Sequence, residues 1–116
     1  MIFGLGLDLT EIHRIQRAVE RRDTFPERVL TTNELALFNK LQGSRQIEFL
    51  AGRYAAKEAF SKAIGTGLGK LGFHDIEILP NEKGRPVITL SPFEGTAHVT
   101  ITHTDTTAAA QVILEK

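Results

Sequence analysis

The sequence predicts an α+β fold, an N-terminal strand and helices packed on a mainly antiparallel β-sheet. Three observations carry this: helical spacing of apolar residues between positions 12 and 64, period-two alternation between 75 and 114, and a glycine-interleaved apolar run at the N-terminus. At 116 residues the chain has the usual size of one domain, spanning 1–116. With 41% hydrophobic and 24% charged residues it has the composition of an ordinary folded protein.

Ile2, Phe3, Leu5, Leu7 and Leu9 are interleaved with Gly4 and Gly6, which suits a strand closely approached by other backbone, and Asp8 sits at its polar end. From Thr10 the period changes. Ile12, Ile15 and Val19 share a helical face, with Thr10 as N-cap and Glu11 in the first turn. Pro26 interrupts any continuation. Thr31-Thr32-Asn33-Glu34 is a capping-box pattern that opens a second helix through Leu35, Leu37, Phe38 and Leu41, stopping near Gly43. Ser44 is expected to cap the third and longest helix, which runs to about Ile64 and ends at Gly65 in a left-handed cap. Strands follow at 75–78, 86–90, 98–102 and 108–114, separated by turn-rich stretches.

Composition excludes several functions. The absence of cysteine removes disulfides, thiolate zinc sites and a cysteine nucleophile, and fits a cytoplasmic protein. Residues 1–9 are too short to span a bilayer and carry Asp8 where a signal peptide stays apolar, so no membrane role is expected. Fourteen basic and fourteen acidic side chains leave no net charge, which argues against a nucleic-acid binder.

Candidate chemistry gathers on the third helix. Tyr54, Glu58 and Lys62 follow i, i+4, i+8, and Glu58 to Lys62 is the favourable order for a helix ion pair. Left there, the pair is a solvated salt bridge. Two features point further. Arg53 and Lys57 set like charges one turn apart, an arrangement that wants an anion between them, and Glu58 continues the row Ile47, Ala51, Tyr54, where a carboxylate wants a cation. A metal or Lys62 could supply it. Asp8 is the natural companion, because Mg²⁺ takes one or two carboxylates, keeps waters and completes its octahedron with phosphate oxygens. Read alone, Asp8 is equally a strand-end residue. Gly65-Thr66-Gly67-Leu68-Gly69 follows a helix instead of opening one, so it satisfies no nucleotide-binding fingerprint and reads as a turn or as backbone close to a ligand. Thr102, His103 and Thr104 crowd one strand end, and no second histidine stands at zinc-ligand spacing. Arg14, Arg17 and Arg21, with Arg22 and Arg28 close behind, form a basic stripe that is either a solvated face or a landing surface for an acidic protein.

Gly6-Leu7-Asp8, then a gap of some forty residues, then Tyr54-Ala55-Ala56-Lys57-Glu58-Ala59-Phe60-Ser61-Lys62 resembles the small holo-acyl-carrier-protein synthases, which are 4′-phosphopantetheinyl transferases. Lys83-Gly84-Arg85-Pro86 and Ile101-Thr102-His103-Thr104 are similar to further family segments, and the resemblance covers essentially the whole chain. Tyr54 stands where the family often has Trp or Phe, a change that keeps the ring.

The resemblance implies transfer of phosphopantetheine from coenzyme A to a serine of apo acyl carrier protein, in support of fatty acid biosynthesis, with Mg²⁺ required and 3′,5′-ADP released. It implies that Asp8 and Glu58 bind the metal and that Lys62 neutralises the diphosphate. Arg45, Arg53, Ser61, Gly65, Thr66, Gly67, Pro86, His103 and Thr104 would border coenzyme A with Lys62. A homotrimer with sites at subunit junctions is also implied, as is a carrier-binding first helix that matches Arg14, Arg17, Arg21 and Arg28. The base that takes the serine proton is either Glu58 or a metal-bound water or hydroxide. The alternatives are a non-catalytic module binding an acidic partner and a metal-dependent phosphohydrolase.

Overall fold

A computed structural model of the chain describes residues 1–68 and 70–116, so Gly69 of the glycine-rich segment lies outside the described residues. The elements run β1 (Ile2–Glu11), α1 (Ile12–Arg21), α2 (Phe25–Val29), α3 (Thr32–Lys40), α4 (Ser44–Ile64), a 3₁₀ turn (Phe73–Asp75), β2 (Glu77–Pro80), β3 (Pro86–Leu90), β4 (Thr96–His103) and β5 (Thr107–Glu115). The N-terminal strand pairs with the C-terminal one, giving an antiparallel sheet in the order β1-β5-β4, and β2 and β3 form a separate antiparallel ribbon. The expected α+β class holds.

One face of the larger sheet is covered by α4. Ala110, Val112 and Leu114 of β5 are buried against Ala55, Ala56, Ala59 and Phe60, and a second core forms where α1, α2 and α3 meet Leu50, Ala51 and Ala108. Gly4 and Gly6 explain the closeness of β1 to α4, because a Cβ on them would run into the backbone carbonyls of Ala63 and Ala59. On the opposite face Leu5, Leu7 and Leu9 stay 58%, 60% and 70% exposed.

Several boundaries differ from those expected. The first strand continues two residues further, because Thr10 and Glu11 pair with Ala108 and Thr107 of β5. The ladder thus satisfies backbone that the sequence pattern assigns to a helix start. Helix α1 begins at Ile12, whose N–H donates to Thr106 O at 2.9 Å, and Thr10 does not cap it. Pro26 does more than break a helix. It sits in the first turn of α2, where its missing N–H costs nothing. Gly43, with φ 61°, takes the cap position expected of Ser44, which is the first residue of α4. Residues 73–75 wind into the 3₁₀ turn, held by Asp75 Oδ2 accepting from Gly72 N at 2.9 Å, so β2 starts at Glu77 instead of Asp75.

The remaining signals hold. Thr31 and Glu34 close a capping box, with Glu34 N–H donating to Thr31 Oγ1 at 3.3 Å and Thr31 N–H to Glu34 Oε1 at 2.8 Å. Gly65 ends α4 at φ 88°, its N–H donating to Ser61 O at 2.9 Å.

Candidate functional site

Alternation along β1 puts Asp8 and Thr10 on the face of Gly4 and Gly6, towards α4. Lys62 reaches back from α4 so that its Nζ lies 3.1 Å from Asp8 Oδ1 and donates to Leu7 O at 3.1 Å. Thr10 Oγ1 donates to Asp8 Oδ2 at 2.8 Å. Both carboxylate oxygens of Asp8 are therefore engaged from its own chain. The ion pair that the sequence offers between Glu58 and Lys62 forms between Asp8 and Lys62.

Glu58 stands one turn before Lys62 and is half-buried. Burial, and after it the charge of Asp8, pushes its carboxyl above the usual range, while Lys62 opposes the shift. Glu58 thus feels the negative charge of Asp8, which is the electrostatic condition that a divalent cation relieves. Among the described residues no group of three or more His, Asp or Glu side chains could cage a metal. Two carboxylates suffice for Mg²⁺, which usually keeps several waters and completes its shell on substrate phosphates.

A pocket of about 370 Å³ opens beside these groups, walled by Asp8, Thr10, Arg14, Phe25, Tyr54 and Glu58. The Tyr54 ring is steadied by Phe73 and Phe25, at centroid distances of 5.6 and 6.2 Å. Burial and then Glu58 raise the Tyr54 phenol above its ordinary pKa, with Arg14 acting the other way, so the first arginine of the basic stripe reaches the electrostatics of the pocket. Arg14, Arg17, Arg21 and Arg28 are all exposed, and among the described residues none of them enters an ion pair.

The anion between Arg53 and Lys57 belongs to the chain itself. Lys57 is fully buried and its Nζ contacts Glu34 Oε1 at 2.6 Å, Val29 O at 2.7 Å and Phe73 O at 3.0 Å. Burial lowers the Lys57 pKa, and Glu34 opposes the shift. Arg53 Nε donates to Ile78 O at 3.2 Å, and the guanidinium lies 4.2 Å over the Phe49 ring. The reading of this like-charged pair as a sign of an anionic ligand is therefore corrected. Glu34 neutralises it from α3, and its Oε2 also accepts from Ile78 N at 2.7 Å.

The other site residues are scattered. Ser61 is buried and its Oγ donates to Glu58 O at 2.7 Å, while Gly65, Thr66 and Gly67 are exposed just beyond Lys62. Arg45 lies at the opposite end of α4, about 25 Å from Lys62 at 1.5 Å per residue. Pro86 lines a larger groove of about 560 Å³ between β3 and β4, away from Asp8. His103 ends β4 with Nδ1 3.1 Å from Thr104 O, and Thr104 Oγ1 accepts from the backbone of Thr106 and Thr107. In one chain, then, Asp8, Glu58 and Lys62 meet at the β1 edge of the sheet, whereas His103 and Thr104 sit at the β4 edge.

A family model described as the 4′-phosphopantetheinyl transferase superfamily matches residues 4–113. The chain is 56% identical to the holo-(acyl-carrier-protein) synthase of Enterococcus faecalis over 115 residues, covering 99% of this chain and 98% of that protein. It is 53% identical to that of Levilactobacillus brevis, covering 100% and 96%. Among solved structures it is similar to the Bacillus anthracis holo-(acyl-carrier-protein) synthase in complex with CoA (3′,5′-ADP), with a TM-score of 0.92 and 46% identity over 98% of this chain and 96% of that one. It also resembles the Helicobacter pylori holo-(acyl-carrier-protein) synthase in complex with coenzyme A, with a TM-score of 0.84 and 34% identity over 96% and 99%.

Proposed function

Because the chain belongs to the 4′-phosphopantetheinyl transferase superfamily, we infer that it acts as a holo-(acyl-carrier-protein) synthase. It transfers 4′-phosphopantetheine from coenzyme A to a serine of apo acyl carrier protein. The presence of Asp8 and Glu58 in the wall of one pocket, with Lys62 paired to Asp8, carries this reading at the level of residues.

Phosphoryl transfer needs positioning and charge compensation more than covalent chemistry. In our reading Asp8 and Glu58 hold Mg²⁺. The chemistry such a cation supplies when bound is neutralisation of the diphosphate as charge builds on the departing 3′,5′-ADP. Lys62, whose side chain is 54% exposed, adds a second positive charge beside the same group. The serine oxygen forms its bond to the phosphorus nearest pantetheine, the bond from that phosphorus to the bridging oxygen breaks, and the serine proton passes to a base. Glu58 is the base this chain's own side chains offer, since it stands in the pocket wall beside Asp8. The exposed stripe Arg14, Arg17, Arg21 and Arg28 receives the acidic carrier beside the pocket.

We further propose a homotrimer. Leu5, Leu7 and Leu9 present an exposed apolar strip that no element covers among the described residues, and one chain holds the proposed coenzyme A residues at opposite sheet edges. A neighbouring copy would bring His103 and Thr104 to the Asp8 side, with Arg45, Arg53, Ser61, Gly65, Thr66, Gly67 and Pro86 bordering the rest of the donor. Among the described residues no helix is long and apolar enough to cross a membrane. The cytoplasm is where we place the reaction.

Incubating the protein with coenzyme A, Mg²⁺ and apo carrier protein, then weighing the carrier, tests the whole reading. The carrier should gain one phosphopantetheine arm, and a chelator should abolish the gain. Release of ADP without any carrier would instead favour a phosphohydrolase, and carrier binding without mass gain an interaction module.

A further inference from the structure

The chemistry above gives Thr10 no task, although its side chain walls the same pocket. Thr10 is 5% exposed, so solvent does not satisfy its hydroxyl. The hydroxyl donates instead to Asp8 Oδ2 at 2.8 Å. Residues i and i+2 of a strand share a face, so Asp8 and Thr10 stand side by side whatever their chemistry. That default does not account for a buried hydroxyl here, because valine has the same shape, suits a strand equally well and would bury no polar atom.

The two donors on Asp8 differ in character. Lys62, on Oδ1, ends a long and half-exposed side chain and can exchange for another cation. Thr10, on Oδ2, is fixed in the ladder opposite Ala108 and cannot move away. A donor fixed on one oxygen restrains rotation of the carboxylate about its Cβ–Cγ bond. The other oxygen then keeps its direction, toward Lys62.

We propose that Thr10 is a positioning residue whose buried hydroxyl locks the Asp8 carboxylate through Oδ2, leaving Oδ1 preset to receive a divalent cation. The proposal rests on the reading of Asp8 as a metal ligand. Groups that orient metal ligands in this way typically change metal affinity by about 10–100-fold when they are removed.

The test is Mn²⁺ binding to the free protein without coenzyme A or carrier, followed by the electron paramagnetic resonance signal of unbound Mn²⁺. Thr10→Val, which keeps shape and loses the hydroxyl, should raise the Kd by about tenfold. Thr10→Ser, which keeps the hydroxyl, should bind Mn²⁺ like the unaltered protein. A merely structural Thr10 would lower the melting temperature of Thr10→Val and leave its Kd unchanged, and that result overturns the proposal. Asp8→Asn separates the two levels of the argument. If it abolishes binding while Thr10→Val has no effect, only the role of Thr10 falls. If Asp8→Asn binds Mn²⁺ normally, or the unaltered protein has no Mn²⁺ site, the metal reading falls and the proposal with it. Should Thr10→Val fail to fold, Thr10→Ala against Thr10→Ser makes the same comparison, and equal Kd values overturn the idea.

Discussion

Glu58 is held in two conflicts, and both have measurable consequences. Burial and then Asp8 raise its pKa, while Lys62 opposes the shift. For an acid whose folded pKa lies above its unfolded one, the stabilising contribution is complete below the unfolded value. It is lost as pH rises through the folded value. At neutral pH the ionised Glu58 therefore works against folding. Glu58→Gln should melt at a higher temperature than the unaltered protein at pH 7 and lose the pH dependence in that window, while kcat/KM falls by about 10²-fold or more. Thermal melts across pH and carrier-modification assays check both halves. Full activity in the variant would remove Glu58 from the chemistry. Asp8 and Glu58 were each legible as a candidate because carboxylates that end or continue apolar stretches want cations, but spacing could not show that they wall one pocket. Thr10 was not, since a threonine ahead of a helical period looks like an N-cap, and only pairing with β5, about a hundred residues away, keeps it in the strand.

At the scale of elements, α4 is a two-sided helix. It turns Lys57 inward to an ion pair with no solvent exposure on either side, and it carries Glu58 and Lys62 towards β1. The Lys57 ammonium joins α4 to the end of α2 at Val29, to α3 at Glu34 and to the 3₁₀ turn at Phe73. Lys57→Met leaves the Glu34 carboxylate buried without its cation and should cost about 3–5 kcal/mol, measured by urea unfolding. Adding Glu34→Gln should recover part of that loss, because the stranded charge goes while Ile78 N keeps an acceptor. If the double variant loses the sum of the two singles, the charge pair is not what holds these elements together. Local signals identified α3 and α4 well, since the capping box and the left-handed Gly65 are nearest-neighbour chemistry. The partner of Lys57 lies 23 residues away, where charge spacing on one helix has no reach.

At the scale of the whole molecule, the sheet order sets which of the proposed coenzyme A residues one chain can bring together. Strand β5 separates β1 from β4, so Asp8 and His103 occupy opposite edges, with α4 over the shared face. The sequence predicts the strands but not this order, because pairing between first and last strands is a long-range choice. On the reading proposed above, a donor touching Asp8, Glu58 and His103 together would lie between copies, and a head-to-tail ring of three would repeat one such junction three times. Two individually inactive variants then offer a decisive experiment. Asp8→Asn spoils one side of a junction and His103→Ala the other. When the two are unfolded together in equal amounts and refolded, some junctions join an intact Asp8 to an intact His103. Random mixing in a head-to-tail ring should restore about one quarter of the sites. Sites built wholly within one chain give no recovery in the mixture, and sites that do not need His103 leave His103→Ala active from the start.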